Sequence, residues 1–178
     1  GSYAGDAITT GDKNVLAGHQ AGTELLAGGN NVLLGYQTGD SLINASSSVA
    51  IGSYALSTED VSAGNVAIGY QALQDQNVDN ANNVAVGYQS ALNLTSGTDS
   101  VYVGYQAGGV GAIDGDYNTV LGAHAAKNAT SARTSVFVGQ SAGGVGVITG
   151  AANVAIGNAA GYDLTSGNNN VLVGTDAG

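Results

Sequence analysis

The sequence predicts an all-β fold, a parallel β-solenoid of about ten turns, on the basis of three observations. The segment Asn83–Gln89 (Asn-Val-Ala-Val-Gly-Tyr-Gln) has equivalents along the whole chain, with their glycines 17 or 18 residues apart. A period this constant is typical of one unit stacked many times. Apolar residues, many of them β-branched, recur at fixed positions before each glycine, and short polar residues precede them. We therefore interpret residues 1–178 as a single β-solenoid segment of a longer fibrous protein.

The recurring glycines, called marker glycines below, set the register of the repeat. They are Gly1, Gly18, Gly35, Gly52, Gly69, Gly87, Gly104, Gly122, Gly139, Gly157 and Gly174. One turn of 17 residues cannot be stable alone, because ordering it costs roughly 25 kcal/mol at about 1.5 kcal/mol per residue. Stability must therefore come from stacking of one turn on the next.

Three columns of apolar residues precede the marker glycines and predict the strands. The first column, three residues before the glycine, is Val15, Val32, Val49, Val66, Val84, Val101, Thr119, Val136, Val154 and Val171. The middle column is Leu16, Leu33, Ala50, Ala67, Ala85, Tyr102, Val120, Phe137, Ala155 and Leu172. The third column is Ala17, Leu34, Ile51, Ile68, Val86, Val103, Leu121, Val138, Ile156 and Val173.

Alternation along a strand places the first and third columns on one face and the middle column on the other. Because β-branched residues favour a buried, pleated surface, we expect the first and third columns to face the core. The middle column then faces outward, although it contains no charged or strongly polar residue. An exposed apolar stripe usually marks a partner surface, so this column is the predicted subunit contact.

Other columns predict the corners and the opposite wall of each turn. Asparagine or serine always stands four residues before the marker glycine, which suits a corner and a ladder of stacked polar side chains. A small residue always stands three residues after it and predicts a crowded inner bend. A second apolar position predicts the opposite wall: Ile8, Leu25, Leu42, Leu94, Val147 and Leu164, with Val61, Val78 and Ile113 displaced. The stretch 127–134 has no large apolar residue there, so this turn should be the weakest.

Composition narrows the classes of partner. The net charge is −10, with only Lys13, Lys127 and Arg133 as strong bases, so nucleic acid and anionic membranes are disfavoured. No apolar run is long enough to span a bilayer, and we expect no membrane insertion. The chain has no cysteine, so it has neither a disulfide framework nor a thiolate metal site.

The pattern Asn-Val-Ala-Ile-Gly, at Asn65–Gly69 and Asn153–Gly157, resembles the head repeat of trimeric autotransporter adhesins (the YadA-like head). Its continuation Gly-Tyr-Gln-Ala, at Gly69–Ala72 and Gly104–Ala107, is similar to repeats in bacteriophage tail fibres. The resemblance covers essentially the whole chain. It implies a left-handed parallel β-roll in which three chains lie side by side. The adhesin repeat is nearer 14 residues, so the longer repeat here implies longer outer loops.

Few residues in the sequence suggest a ligand-binding, metal-binding or catalytic site. The pairs Tyr36-Gln37, Tyr70-Gln71, Tyr88-Gln89 and Tyr105-Gln106, with His19-Gln20 as a variant, predict either a sugar-binding strip or a packing ladder, and the ladder is favoured. His19 and His124 lie too far apart along the stack to cooperate. Asp114 and Asp116 could bind calcium, but a solvated turn is favoured. Glu59-Asp60 is another acidic pair in a loop. No catalytic, cofactor-binding or metal-binding residue is predicted.

The sequence therefore predicts a non-enzymatic homotrimeric fibre segment on a cell surface or a virion, outside the cell. It would act as a stiff stalk or head in attachment to a host receptor or glycan. One alternative is a monomeric carbohydrate- or ice-binding solenoid, although ice binders need a regular threonine face that the sequence lacks. The second alternative is a tailspike-type glycan hydrolase. That class needs two facing carboxylates, and no column shared by acidic residues is predicted.

Overall fold

A computed structural model shows ten short parallel strands stacked into one β-solenoid. The structure describes residues 1–58, 63–76, 78, 81–109, 111, 114–144 and 146–178. Strand order in the sheet follows the chain from first to last, and every neighbouring pair is parallel. The strands are β1 Val15–Ala17, β2 Val32–Leu34, β3 Val49–Ile51, β4 Val66–Ile68, β5 Val84–Val86, β6 Val101–Val103, β7 Thr119–Leu121, β8 Val136–Val138, β9 Val154–Ile156 and β10 Val171–Val173.

The strand register confirms the predicted fold class and repeat. Each residue of a strand pairs with its equivalent in the next strand, for example Val84 with Val101 and Val86 with Val103. The spacing is 17 or 18 residues, giving about nine complete turns between ten strands. Below, a coil means one strand with the connection that follows it. Since the strands stay in register, the additional residue of an 18-residue coil lies in its connection.

The predicted facing of the strand columns is wrong. The middle column points into the core, where Leu33, Ala50 and Phe137 are fully buried. The first and third columns point outward and are half-buried or exposed, as the repeated burial pattern of the strands shows. The middle column is therefore no subunit contact. Lysine in place of Leu33 and Phe137 would place charges in the core and would unfold coils rather than separate chains.

Size complementarity within each coil explains why the middle column faces inward. The residue six positions after a middle-column residue lies across the core from it. Where the middle residue is large, its counterpart is glycine: Leu16 with Gly22, Leu33 with Gly39, Tyr102 with Gly108, Phe137 with Gly143 and Leu172 with Gly178. A Cβ on Gly143 would lie 2.6 Å from Phe137 Cδ1.

Where the middle residue is alanine, the counterpart is larger in two coils. Ala50 faces Leu56 and Ala67 faces Leu73, and all four residues are fully buried. Ala155 and Gly161 are both small, and Leu172 from the next coil reaches to 3.1 Å from a Cβ at Gly161. The two walls thus share the interior in different proportions, and Ala85 with Ala91 is a second coil in which both residues are small.

The opposite wall is largely where the sequence predicts it. Leu25, Leu42 and Leu94 are fully buried, and Ile8 and Leu164 pack against the core. Val147 is a wrong assignment, because it is 55% exposed and its neighbour Ile148 is buried instead. Val78 is half-buried, while Val61 and Ile113 lie outside the described residues. The small residues three positions after the marker glycine are buried through the central coils, which confirms the crowded bend.

The coil that contains residues 127–134 keeps a closed core without a large residue on that wall. Ala126, Ala129 and Ala132 are buried there, and the large side chains of Tyr102 and Phe137 approach from the neighbouring coils. The space left between them is too small for a water molecule. Burial raises the pKa of Tyr102 to about 12. That this coil is the weakest stays a prediction.

The asparagine and serine corners form a buried ladder, as predicted, but the partners are backbone groups. Asn83 Oδ1 accepts from the Ser100 N–H at 2.9 Å, and Asn83 Nδ2 donates to the Gly97 carbonyl at 2.7 Å. Asn31 makes the same two contacts, to Ser48 and Ala45. Each side chain thus satisfies backbone groups of the following coil that would otherwise be buried without partners.

The marker glycines are required because successive coils approach closely at this position. A Cβ added to Gly87 would overlap the carbonyl oxygen of Gly104 in the next coil. The backbone φ there is also positive, at 137° for Gly87. Both the space and the conformation therefore exclude a side chain.

Moving the large side chain of one coil from position 73 to position 67 tests size complementarity between the two walls of the core. Ala67→Leu alone should destabilise the chain by about 1–3 kcal/mol through overpacking, and Leu73→Gly alone by about 2–5 kcal/mol through the cavity. The double variant reproduces the Leu33 and Gly39 arrangement, so it should recover at least about 1 kcal/mol relative to the sum. Denaturant unfolding of all four proteins measures this coupling; simple additivity would contradict the pairing.

Alanine at a marker glycine should be costly only where another coil lies against it. Gly87→Ala and Gly174→Ala share a positive φ, but a Cβ at Gly174 meets nothing within 4 Å. We expect Gly87→Ala to cost at least about 2 kcal/mol more than Gly174→Ala, because overpacking adds to the strain that both variants share. Thermal melts followed by circular dichroism compare them. Equal melting temperatures would show that conformation alone selects glycine.

Candidate functional site

A continuous column of aromatic rings follows the marker glycines on the outside of the solenoid. Neighbouring ring centroids lie 5.1–6.0 Å apart, so every ring contacts the next. We call this set the aromatic column. It consists of Tyr3, His19, Tyr36, Tyr54, Tyr70, Tyr88, Tyr105 and His124.

The rings of the column come from two adjacent positions of the repeat, the first or the second residue after the marker glycine. Most rings stand directly after the marker glycine, and pairs of these stack at 13–18°. In three coils the first position is small and the ring stands one residue later, at Tyr3, Tyr54 and His124. These three rings meet their neighbours edge to face, at 77–88°. One ring per repeat is thereby kept over eight successive repeats, from Tyr3 to His124.

A row of glutamine amides runs beside the column. Gln89 Nε2 donates to Gln71 Oε1, and Gln106 Nε2 donates to Gln89 Oε1, both at 2.8 Å. We call Gln71, Gln89 and Gln106 the amide row. An amide has two N–H donors and two acceptor lone pairs. Within the row Gln89 uses one of each, so it has one donor and one lone pair left for another group.

The structure thus places the predicted tyrosine and glutamine pairs together as a ladder. It also shows what sequence reasoning missed, namely that Tyr3, Tyr54 and His124 belong to the same column. His19 and His124 stand near its two ends and do not contact each other. A search for one aromatic residue in either of two positions per repeat would have found all eight rings.

The outward strand face is a second continuous surface. It consists of the first and third strand columns, and every side chain in it is uncharged. Ile68 is 36% exposed and Ile156 40% exposed, while central members such as Val84 are half-buried. We call this surface the outward apolar face. It extends over all ten strands.

The two aspartates considered for calcium have other partners. Asp114 Oδ1 accepts from the hydroxyls of Thr95 and Ser96 at 2.7 and 3.1 Å. Asp116 accepts from Thr98 at 3.0 Å and lies 3.5 Å from the Arg133 guanidinium. These contacts tie neighbouring coils together, as a structural turn does. Glu59-Asp60 lies outside the described residues.

One acidic pair was not foreseen, because its two members stand in adjacent columns and not in a shared one. Glu24 and Asp40 belong to consecutive coils, and the Glu24 N–H donates to the Asp40 carbonyl at 3.0 Å. Desolvation, and then the charge of Glu24, raise the pKa of Asp40. Glu24 stands six and Asp40 five positions after its marker glycine, so this pair leaves unchanged the expectation that acidic residues share no column.

The described part of the chain contains no group of three or more histidine, cysteine, aspartate or glutamate side chains placed to hold a metal ion. Within the same residues, no helix has the length and apolar character needed to cross a bilayer.

Comparison of the chain with protein-family models, with curated proteins and with solved structures gave no match. The resemblance to adhesin heads and tail fibres therefore stays a prediction from the repeated motifs.

Replacing Asp40 should make the solenoid more stable at neutral pH. The folded-state pKa is raised above the ordinary value of 3.8, so the ionised carboxylate destabilises the fold as pH rises through that window. Asp40→Asn should raise the melting temperature at pH 7 by at most about 3 °C, since the site is partly solvated. At pH 3 it should change little. Melts of this variant and of the control Asp163→Asn at both pH values test the assignment; equal effects at pH 3 and pH 7 would contradict it.

Proposed function

We propose that the chain is a stiff, non-enzymatic segment of a fibre on a cell surface or a virion. Three copies lie side by side through the outward apolar face, and the assembled rod holds or forms a surface that attaches to a receptor. The single observation that carries this proposal is the outward apolar face, which runs the length of the sheet without one charged side chain.

The extent of the face supports association rather than solvation. Ten strands about 4.8 Å apart and three residues wide present roughly 450 Å² before flanking side chains are added. An area of this size is comparable with the largest apolar patch of a typical soluble protein, about 300–600 Å², which is often functional. Polar substitution on such a face costs an isolated rod little, yet Thr119 is its one polar member, and a neighbouring chain explains this bias.

Lateral association of parallel rods also accounts for the shape of the face. The face is a straight strip along the stacking direction, because each residue lies over its equivalent in the previous strand. Identical rods packed side by side can bury such a strip by closed rotational symmetry around a shared axis. The number three comes from the resemblance to adhesin heads, and a mass measurement tests it directly.

Stiffness supports the role as a stalk or head. Backbone hydrogen bonds join every pair of consecutive coils at strand, bend and corner. Bending the rod would stretch many of these bonds at once. A receptor-binding site at one end or along the side of the rod would therefore be held away from the cell or virion that carries the fibre.

Charges on the outward apolar face should separate the chains without unfolding them. In Val49→Lys/Val84→Lys/Val136→Lys the new side chains point away from the core and are spaced along the rod. We expect the parent to have three times the single-chain mass of 17.3 kDa. The triple variant should have the single-chain mass while keeping its β circular dichroism spectrum, because desolvating several ammonium groups between chains costs more than the contact provides.

The matched control is Thr10→Lys/Asn44→Lys/Thr165→Lys, which adds the same charge at exposed loop positions. It should keep the parent mass. Light scattering measures all three proteins. A parent of single-chain mass, or a face variant that stays trimeric, would refute the proposed assembly.

A further inference from the structure

We propose that the aromatic column and the amide row form a binding site for a neutral oligosaccharide that lies along the rod. This inference goes beyond the proposed fibre function and does not depend on the number of chains. It rests on three observations: coils stack without the rings, a ring is kept in each of eight successive repeats, and the ring chemistry suits an uncharged ligand rich in oxygen.

Coils with and without a ring can be compared within the same chain, because the rings are absent from the last coils. After Gly139 and Gly157 the chain has Gln140-Ser141 and Asn158-Ala159, without a ring. The backbone bonds are unchanged: Ser141 and Ala159 donate to the preceding coil at 2.9 Å, and Gln106 in the aromatic part also does so at 2.9 Å. Coils therefore stack equally well without aromatic residues here, and packing of coils does not explain the column.

The chain keeps a ring even where the backbone is unfavourable to it. The second position after the marker glycine has a left-handed conformation, with φ of 60° at Tyr3, 61° at Tyr54 and 58° at His124. Bulky residues adopt this conformation rarely. In these coils the first position is Ser2, Ser53 or Ala123, so the ring at the second position restores a column that would otherwise be broken.

The exposed chemistry is neutral and rich in hydrogen-bonding groups. The two positions that carry the column contain no Asp, Glu, Lys or Arg in the eight repeats from Tyr3 to His124. Tyr70, Tyr88 and Tyr105 are 40–48% exposed, and their rings partly cover one another by stacking. The phenol groups and the remaining donor and lone pair of the Gln89 amide are then the polar groups offered to a ligand. Aromatic edges are electropositive and attract oxygen atoms, so an uncharged polyhydroxy ligand fits this surface.

Other ligand classes fit less well. An anionic polymer would meet a chain of net charge −10. A proline-rich peptide needs grooves between aromatic side chains, whereas neighbouring rings here are in contact at 5.1–6.0 Å and leave no slot. A second subunit is disfavoured because the outward apolar face continues through β9 and β10, where the column has ended. The column spans roughly 34 Å, or seven intervals of about 4.8 Å, which accommodates an extended oligosaccharide.

Fluorescence anisotropy with labelled maltohexaose, cellohexaose and laminarihexaose tests the site on the full chain. We expect at least one of these neutral glucans to bind with a dissociation constant of about 1 mM or tighter. The variant Tyr70→Ser/Tyr88→Ser/Tyr105→Ser should weaken binding at least tenfold. Serine already occupies the first position at Ser2 and Ser53, so the variant should fold. The control Tyr117→Ser/Tyr162→Ser removes two exposed tyrosines outside the column and should bind like the parent.

Comparison probes are dextran sulfate, a proline decapeptide and a lysine decapeptide, and the mass of each protein is measured alongside. The proposal is overturned if none of the neutral glucans binds, if the triple variant binds as well as the parent, or if a comparison probe binds in their place. It is also overturned if the triple variant loses the parent mass, because the column would then be a subunit contact. A parent of single-chain mass with intact glucan binding would refute only the proposed assembly.

Discussion

Parallel hydrogen bonding between successive coils is the interaction on which the rest of the structure depends. It holds equivalent residues directly above one another, so every coil must follow nearly the same outline. A shared outline gives each coil a similar interior, and the two walls must divide it. The pairing of Phe137 with Gly143 and of Leu73 with Ala67 follows from this limit. So does the marker glycine, since neighbouring carbonyls lie where its side chain would be.

The same constraint determines what the interior can contain. A solenoid corner buries backbone groups that the strands do not pair, and each needs a partner. Asparagine supplies an acceptor for the following coil's N–H and a donor for its carbonyl, and serine supplies a shorter hydroxyl. The alternation of Asn83, Ser100 and Asn118 shows that either residue maintains the ladder. Asparagine and serine therefore line one edge of the core, and a few other polar side chains, such as Thr38 and Ser90, are buried elsewhere in it.

Much of the fold could be predicted from the sequence because its signals are periodic. The marker glycines and the apolar triplets identify the strands, their parallel register and the corners. The facing of the triplets could not be predicted from alternation, because both faces are apolar and a slip of one residue exchanges them. The β-branched residues Val84 and Val86 suggested burial, yet Ala85 between them is the buried residue. An additional signal lies outside the triplet, in the glycine that stands six positions beyond a large centre such as Leu33, Tyr102 or Phe137.

The candidate site was recognised only in part for a related reason. Fixed offsets from the marker glycine find Tyr70, Tyr88 and Tyr105 but omit Tyr54, whose ring reaches the same column from the next position. Side chains at two adjacent positions can thus serve one column when the backbone turns between them. The complete column is therefore visible in the sequence only when both positions of every repeat are searched together.

The outward apolar face and the aromatic column differ in length, which is consistent with separate roles in assembly and in ligand binding. In a linear stack each coil contacts only its neighbours, so a surface can begin or end at any coil without altering the fold elsewhere. The outward apolar face is present on all ten strands, as a contact between parallel rods requires. The aromatic column stops after His124, and Gln140 and Asn158 continue the position with polar amides. A surface needed only for assembly would have the same extent as the face, so the shorter column is better explained by a ligand of limited length.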